Sequence, residues 1–511
     1  YFFTGSYRIQ NVNYPHSGAV DKRPFFYPFL VSVLHDLTGY RVTNSFWLNA
    51  LIFPVFLLLG YCLGRQLVSP YGGYLAVLLL VSTPLLPMIA ASGGMDLLNL
   101  LMLALLLAVL LAFLRRPTPS AQAALVLTAV LSIQTRYETA LFVLPVAAVI
   151  LYDWSQKRRF EISWGLVLAP LLLIPFAMQR LIMQNVEVFW QAEAAMHGVF
   201  SYHYVLQNLT HAFGFFFDPQ LDLPGNWMLS SFFIIALGAL LAALLLNCSD
   251  RLLLRSKGAA AGLLIGLTII LNYVLLMHYH WGQLNDLAAT RLIAPYLCLQ
   301  VGCCLWAMRL IPAYWSQKVQ LGVIACCVIF FCGISVPRMS RGGFVPQTKQ
   351  NQAVDWMMDL SAEYSGENTS VRPLLLSEAP IVALVGGMSS LSSQVALRKL
   401  AELELHMHLK TFDEVWILYA RPTSEQKREA AHQPGSRWKR IEATFQLQPL
   451  GRRGLGEHYE FILARIEGIL PGALDPADYI RPDWTKPAID YTGRMFDESN
   501  RYQEFVDTLP K

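Results

Sequence analysis

Residues 92–116 read SGGMDLLNLLMLALLLAVLLAFLRR. An acid, Asp96, opens a long apolar run over 96–114, and Arg115 and Arg116 close it. About 20 mostly apolar residues are what an α-helix needs to cross the hydrocarbon core of a bilayer. An acid is favoured at a helix N-terminus by the helix dipole. The stretch therefore predicts one membrane crossing with unlike ends: a carboxylate at one mouth and two guanidiniums at the other.

Similar runs lie on both sides of it. Candidate spans fall at 46–64, 73–91, 96–114, 120–134, 139–152, 164–184, 227–247, 258–278, 292–310 and 319–336, about ten in all, the fourth and fifth being short. The composition agrees. The 511 residues are 55% hydrophobic and only 14% charged, against about 25% charged in a soluble domain, and the mean hydropathy is +0.41. The expected fold class is an α-helical multi-pass membrane protein with a C-terminal soluble α/β domain.

Lys and Arg set the orientation, because short cytoplasmic loops hold them in excess. Arg65, Arg115 and Arg116, Lys157 to Arg159, Arg251, Arg255 and Lys257, and then Arg309 and Lys318 fall in alternate loops. The loops between, such as 92–95 and 279–290, are poor in both residues. The basic loops are predicted to be cytoplasmic, in a plasma (inner) membrane. Three regions follow: 1–45, an outer segment with an amphipathic juxtamembrane helix; 46–336, the transmembrane domain; and 337–511, an extracytoplasmic α/β domain with an irregular tail from 471. Within that domain, strands are expected at 372–377, 414–420, 443–448 and 459–465, and helices at 351–364, 394–410 and 424–432. The long outer loop 185–226, with Trp190, Phe200 and Tyr202, is amphipathic and suits either the interface plane or a lid.

Net charge is +4, which gives no reason to expect a nucleic-acid partner. The eight cysteines lie in or beside apolar segments with no CxxC spacing, so they read as small hydrophobes in helix packing.

Ionisable groups at membrane depth are costly and mark protein interiors or wet cavities, and here they gather at the outer ends of the spans. Asp96 reads either as a helix cap or as a carboxylate facing a cavity, acting as base or metal ligand. Asp21-Lys22-Arg23-Pro24 precedes an aromatic stretch; its cations are either interface anchors or a phosphate clamp. Arg136 and Glu138 can staple the turn between the two short spans. His278, His280 and Arg291 cluster at the outer ends of two late spans, where polar or phosphate contacts fit better than a metal site.

Four features occur in order: DKRPFFYPF before a span, an Asp opening a later span, TRYE between two short spans, and TRLIAP before a late span. Over roughly residues 15–470 this pattern resembles the polyprenyl-phosphate-sugar glycosyltransferases of the GT-C superfamily. Nearest in pattern are the dolichyl-phosphate-mannose–protein mannosyltransferase group and the bacterial aminoarabinose transferases. The resemblance implies that Lys22 contacts the lipid-linked phosphate, with Arg23, in place of a family proline, adding a second contact. It matches the acid of the second outer loop to Asp96, the Thr-Arg-x-Glu turn to Thr135, Arg136 and Glu138, and the late Arg to Arg291. The family also has an acidic motif just after its first span, upstream of the lysine. Residues 1–20 contain no Asp or Glu, and the expectation is that the sequence begins after that span and motif.

The resemblance implies transfer of a sugar from a polyprenyl phosphate, with inversion, to a glycolipid, polysaccharide or protein acceptor at the outer face. Lys22, Arg23, Arg291 and His278 or His280 would stabilise the leaving phosphate. Asp96 would serve as general base or hold a divalent metal ion. The alternatives are a lipid or sugar transporter and a non-catalytic membrane scaffold.

Overall fold

The computed structural model describes residues 8–9, 12–13, 24–39, 41, 43–177, 198–219, 226–246, 257–337, 356, 359, 373–377, 380, 383, 389–398, 400–408, 410, 412–422, 437–455 and 459–473. The chain forms two compact units, one spanning Lys22–Pro346 and the other joining Tyr1–Asp21 to Gln347–Lys511.

The first unit is helical. It opens with α1 (Phe26–Thr38), α2 (Asn44–Leu67), α3 (Pro70–Ser82), α4 (Leu85–Ala90), α5 (Asp96–Arg115) and α6 (Pro119–Ile133). A 3-10 turn, Tyr137–Phe142, leads into α7 (Val143–Lys157), and α8 (Trp164–Leu168) continues as a 3-10 turn over Ala169–Leu173. Then come α9 (Val205–Phe217), α10 (Trp227–Leu245), α11 (Lys257–His278), α12 (Leu287–Thr290), α13 (Ala294–Ala307) and α14 (Ala313–Phe330). Most of the described part of each apolar run read from the sequence lies on helix. Among the described residues, 7 helical segments are long and apolar enough to cross a membrane, while 70–82, 119–133 and 164–177 are shorter.

Local chemistry sets the boundaries. Ser69, Thr118 and Ser163 each cap a helix by accepting a hydrogen bond from a backbone N–H in the first turn, and Pro70 and Pro119 follow the first two caps. Proline suits that position because its missing N–H has no partner there anyway. The run expected to be continuous over 73–91 is instead α3 and α4. Thr83 is extended, at ψ 109, as a residue preceding proline must be, and its hydroxyl folds back onto the Leu79 carbonyl at 2.7 Å.

Helices α2 and α3 pack through glycine. A Cβ on Gly64 would lie 2.6 Å from the Gly72 carbonyl oxygen and 2.7 Å from the Ala76 Cβ. Small residues let backbones approach in this way where lipid gives no hydrophobic drive between helices. Outward, large apolar side chains such as Leu58 (62% exposed), Ile235 (70%) and Leu245 (87%) have no protein cover. Bilayer is the solvent that suits such a surface, since every helix satisfies its own backbone.

Hydrogen bonds tie the helix ends into two layers. At one end Arg115 donates to Gln66 (3.2 Å), the Ser69 hydroxyl to Gln320 (2.9 Å), Lys157 to the Pro117 carbonyl (3.3 Å) and Gln317 to the Tyr71 hydroxyl (3.0 Å). This is the basic end. At the other, the Phe26 N–H donates to the Gln134 carbonyl (3.1 Å). There too the Asn49 amide donates to the carbonyls of Ser92 and Gly94 (2.6 and 2.8 Å).

The second unit holds a 5-stranded mixed sheet of order β4-β3-β5-β7-β6. Its strands are β3 (Pro373–Ser377), β4 (Ser389–Ser392), β5 (Glu414–Pro422), β6 (Phe445–Leu455) and β7 (Tyr459–Ile469). Two short strands near the chain start, β1 (Arg8–Ile9) and β2 (Val12–Asn13), form a separate antiparallel pair. Strand β3 runs parallel to both β4 and β5, whereas β5–β7 and β6–β7 are antiparallel. The helix expected at 394–410 is α15 (Ser393–Arg398) followed by α16 (Leu400–His408), and α17 (Arg437–Thr444) precedes β6. Strand β6 runs beyond the expected 448 because pairing with β7 continues to Leu455. The helix expected at 424–432, and most of the one at 351–364, lie outside the described residues. Both sheet faces are covered: Leu376, Ile417 and Ala464 on one, Leu375, Leu418 and Leu463 on the other.

Two stability tests follow from this packing. Gly64→Val should overpack the α2–α3 contact and cost about 1–3 kcal/mol, read as a lowered unfolding midpoint in detergent. In the sheet unit, burial pushes the His406 imidazole from 6.5 down to about 4. The neutral ring is then the folded form, and its stabilising contribution is complete above pH 6.5 and is lost as pH falls toward 4. The midpoint of His406→Leu should rise relative to wild type across that window.

Candidate active site

The non-basic end of the helical unit gathers four charged side chains from three places in the chain. Helix α5 begins at Asp96, so Asp96, Asn99 and Leu100 share one face at spacings of three and four. The turn between α6 and α7 supplies Arg136 and Glu138. Arg291 comes from the short turn ahead of α13.

Arg136 is a fork between two acids. Its Nε and Nη2 donate to the two Glu138 oxygens at 3.3 and 3.1 Å, and its Nη1 makes a short charged hydrogen bond with Asp96 Oδ1. The second Asp96 oxygen lies 3.7 Å from Arg291 Nη1. Glu138, Arg136, Asp96 and Arg291 thus form an alternating chain of charge with Asp96 only 4% exposed. Burial alone would lower the Arg136 pKa, but Glu138 and then Asp96 outweigh it and hold the guanidinium above its ordinary range. On α1, burial and then the Asp96 charge push the Tyr27 phenol up, so it stays neutral. The Tyr27 oxygen sits 3.0 and 3.1 Å from the carbonyls of Ser45 and Gly93, pinning the loop that precedes Asp96.

A second polar layer lies one turn deeper. Asn99 Oδ1 accepts hydrogen bonds from the hydroxyls of Thr135 (2.9 Å) and Thr139 (2.8 Å), clipping the Arg136 turn to α5. Asn99, Thr139, Tyr27 and Asn272 are site residues that the sequence reading missed. For Asn99 a signal existed: an amide three residues after Asp96, on the same face of an otherwise apolar helix.

These groups line a hollow bounded by Asp96, Asn99, Arg136, Glu138, Asn272 and Arg291, with Leu100 and Pro295 as apolar walls. The structure therefore brings together Asp96, Arg136, Glu138 and Arg291. It places His278 and His280 at the end of α11, away from the lining. The His278 Nδ1 lies 2.8 Å from the Val274 carbonyl, and its ring packs edge-on against Tyr202. His280 packs edge-on against Tyr279. Asp21, Lys22 and Arg23 lie outside the described residues. Among the described residues, no three His, Cys, Asp or Glu side chains are grouped to hold a metal ion. Asp96 has a guanidinium at each oxygen, so these residues do not fit a divalent cation.

The arrangement suits an anionic ligand. Arg136 holds two carboxylates, and the Arg291 Nη1 lies 3.7 Å from Asp96, beyond good hydrogen-bond length. A phosphate entering the hollow can recruit Arg291 while Arg136 keeps the two acids in place.

Residues 22–182 match the family model described as dolichyl-phosphate-mannose-protein mannosyltransferase. Among solved structures, the fold is similar to that of ArnT from Cupriavidus metallidurans in the apo state, with a TM-score of 0.51, 12% identity and 90% of each chain covered. The same protein bound to undecaprenyl phosphate aligns with a TM-score of 0.47 and 14% identity, covering 93% of this chain and 91% of that one. No curated protein sequence matches the chain.

The fold thus defines a class, the ArnT-like multi-pass helical membrane protein with a small C-terminal sheet unit, as the GT-C resemblance implied. Within it, residues 22–182, which carry Asp96, Arg136 and Glu138, bear the sequence pattern of the mannosyltransferase family.

Breaking a buried ion pair by removing one partner costs about 3–5 kcal/mol because the other charge is stranded. Arg136→Met should therefore lower the unfolding midpoint in detergent markedly, and Asp96→Leu introduced beside it should restore part of the loss. A double variant whose loss equals the sum of the Arg136→Met and Asp96→Leu losses would show that the two charges are not coupled.

Proposed function

We propose that the protein is a membrane glycosyltransferase that moves a sugar from a polyprenyl-phosphate donor to an acceptor hydroxyl, with inversion. The observation that carries this reading is the Asp96–Arg291 pair in the hollow, a carboxylate and a guanidinium side by side. The family similarity over residues 22–182, to proteins described by a lipid-phosphate-linked mannose, supports the donor class.

In this reading the acceptor oxygen attacks the anomeric carbon from the face opposite the phosphate. The bond from that carbon to the phosphate oxygen breaks as the new glycosidic bond forms, and the configuration inverts. Asp96 takes the acceptor proton. Arg291 stabilises the leaving polyprenyl phosphate, which keeps the electron pair. Lys22 and Arg23 add positive charge: the chain three residues beyond Arg23 is anchored where Phe26 meets Gln134, two residues from Arg136. Arg136 and Glu138 position Asp96. The acceptor is a glycolipid, a polysaccharide or a protein.

The basic helix ends face the cytoplasm by the rule that such loops are retained there. That puts the hollow, and residues 337–511, on the outer side of the plasma membrane. A transporter would hold its ion-binding residues near mid-membrane on broken helices; here Asp96 begins one helix and Arg291 precedes another.

Purified full-length protein with a panel of polyprenyl-phosphate sugars should transfer sugar or slowly hydrolyse the donor. Asp96→Asn should lower kcat by roughly 100-fold or more, the range for a lost general base. Arg291→Ala should raise the donor KM by about 10-fold, matching a lost charge-assisted hydrogen bond. Wild-type rates in Asp96→Asn and Arg291→Ala would end the assignment.

A further inference from the structure

We propose that Asn272 is a specificity-determining residue whose amide reads a hydroxyl of the donor's sugar ring. The inference rests on the transferase reading and deepens it.

Helix α11 is otherwise apolar around this position: the sequence from Leu263 to Met277 reads LLIGLTIILNYVLLM. Its Thr268 hydroxyl is satisfied internally by the Leu264 carbonyl at 2.8 Å. Asn272 lies six residues before His278, so about 9 Å below the helix end at 1.5 Å per residue, at a depth where an unpaired amide is costly. Its side chain lines the hollow and is half-buried.

The other polar side chains of that lining are all engaged. Asp96 meets Arg136 and Arg291, Glu138 meets Arg136, and Asn99 holds Thr135 and Thr139. Asn272 alone among the described polar lining residues makes no hydrogen bond within the protein. It caps nothing and clips no turn, so packing gives no account of an amide there. Its amide, with two donors and one acceptor, belongs to the lining of a space already equipped with charge.

The chemistry separates its ligand from that of Arg291. A phosphate offers only acceptors, and charged donors bind it best. A sugar hydroxyl both donates and accepts, which an amide complements with its carbonyl and its N–H₂. A site built to hydrogen-bond one hydroxyl rejects an analogue lacking it, because the site's own polar group is left unpaired. Asn272 would thereby select among donors carrying the same lipid phosphate.

The test uses the full-length protein and polyprenyl-phosphate sugars that differ by deletion or inversion of single ring hydroxyls. Wild type should prefer one sugar. Asn272→Leu should cut kcat/KM for that sugar by 10- to 100-fold and leave the matching deoxy sugar within about 3-fold of wild type. Inhibition by bare polyprenyl phosphate should be unchanged in the variant. Asn272→Ala serves the same comparison if the leucine variant fails to fold. Retained discrimination in a folded variant would overturn the assignment. Equal weakening of bare polyprenyl phosphate would also overturn it, making Asn272 a phosphate contact. A wild type inactive on every donor would instead remove the transferase reading beneath it.

Discussion

Asp96 sits at the start of a membrane helix, 4% exposed, between two guanidiniums. A lone carboxylate there would be expensive to bury. The alternating order Glu138–Arg136–Asp96–Arg291 gives each buried charge an opposite neighbour. It also joins three stretches far apart in sequence: the mouth of α5, the turn after α6, and the turn before α13. The helix ends around the hollow are thus held by the charged groups that line it.

The supporting contacts have the same economy. Tyr27 and Asn49 secure the loop that delivers Asp96, each through backbone carbonyls in 92–94. Asn99 secures the turn that delivers Arg136. None of these three carries a charge, so they orient the ion chain without altering its balance. Arg291 stands at the other end of the ion chain, its Nη1 3.7 Å from the second Asp96 oxygen.

The bundle expresses a second constraint, that of its solvent. Its outward face is apolar, its helices approach through glycines such as Gly64 and Gly72, and most of its basic side chains, Arg136 and Arg291 apart, collect at one end. The sheet unit obeys the rules of water instead. Its strands bury both faces, and its charged pairs, such as Arg421 with Glu442 and Glu460, sit at partly exposed positions.

The sequence by itself determined the solvent, the helical runs and the end of the bundle at which the out-of-place charges gather. Apolar length and the alternation of basic loops are local properties, and lipid imposes them residue by residue. It also isolated Asp96, Arg136, Glu138 and Arg291 as charges out of place. It could not tell which of them meet, because pairing depends on helices separated by up to two hundred residues. The proline break after Thr83 was hidden inside an apolar run, and the strand Ser389–Ser392 carries no alternation to betray it. Asn99 and Asn272 were silent for the same reason. An amide in an apolar helix has no meaning until the fold shows whether it is paired, and only the tertiary structure showed Asn99 bound to two threonines and Asn272 bound to none.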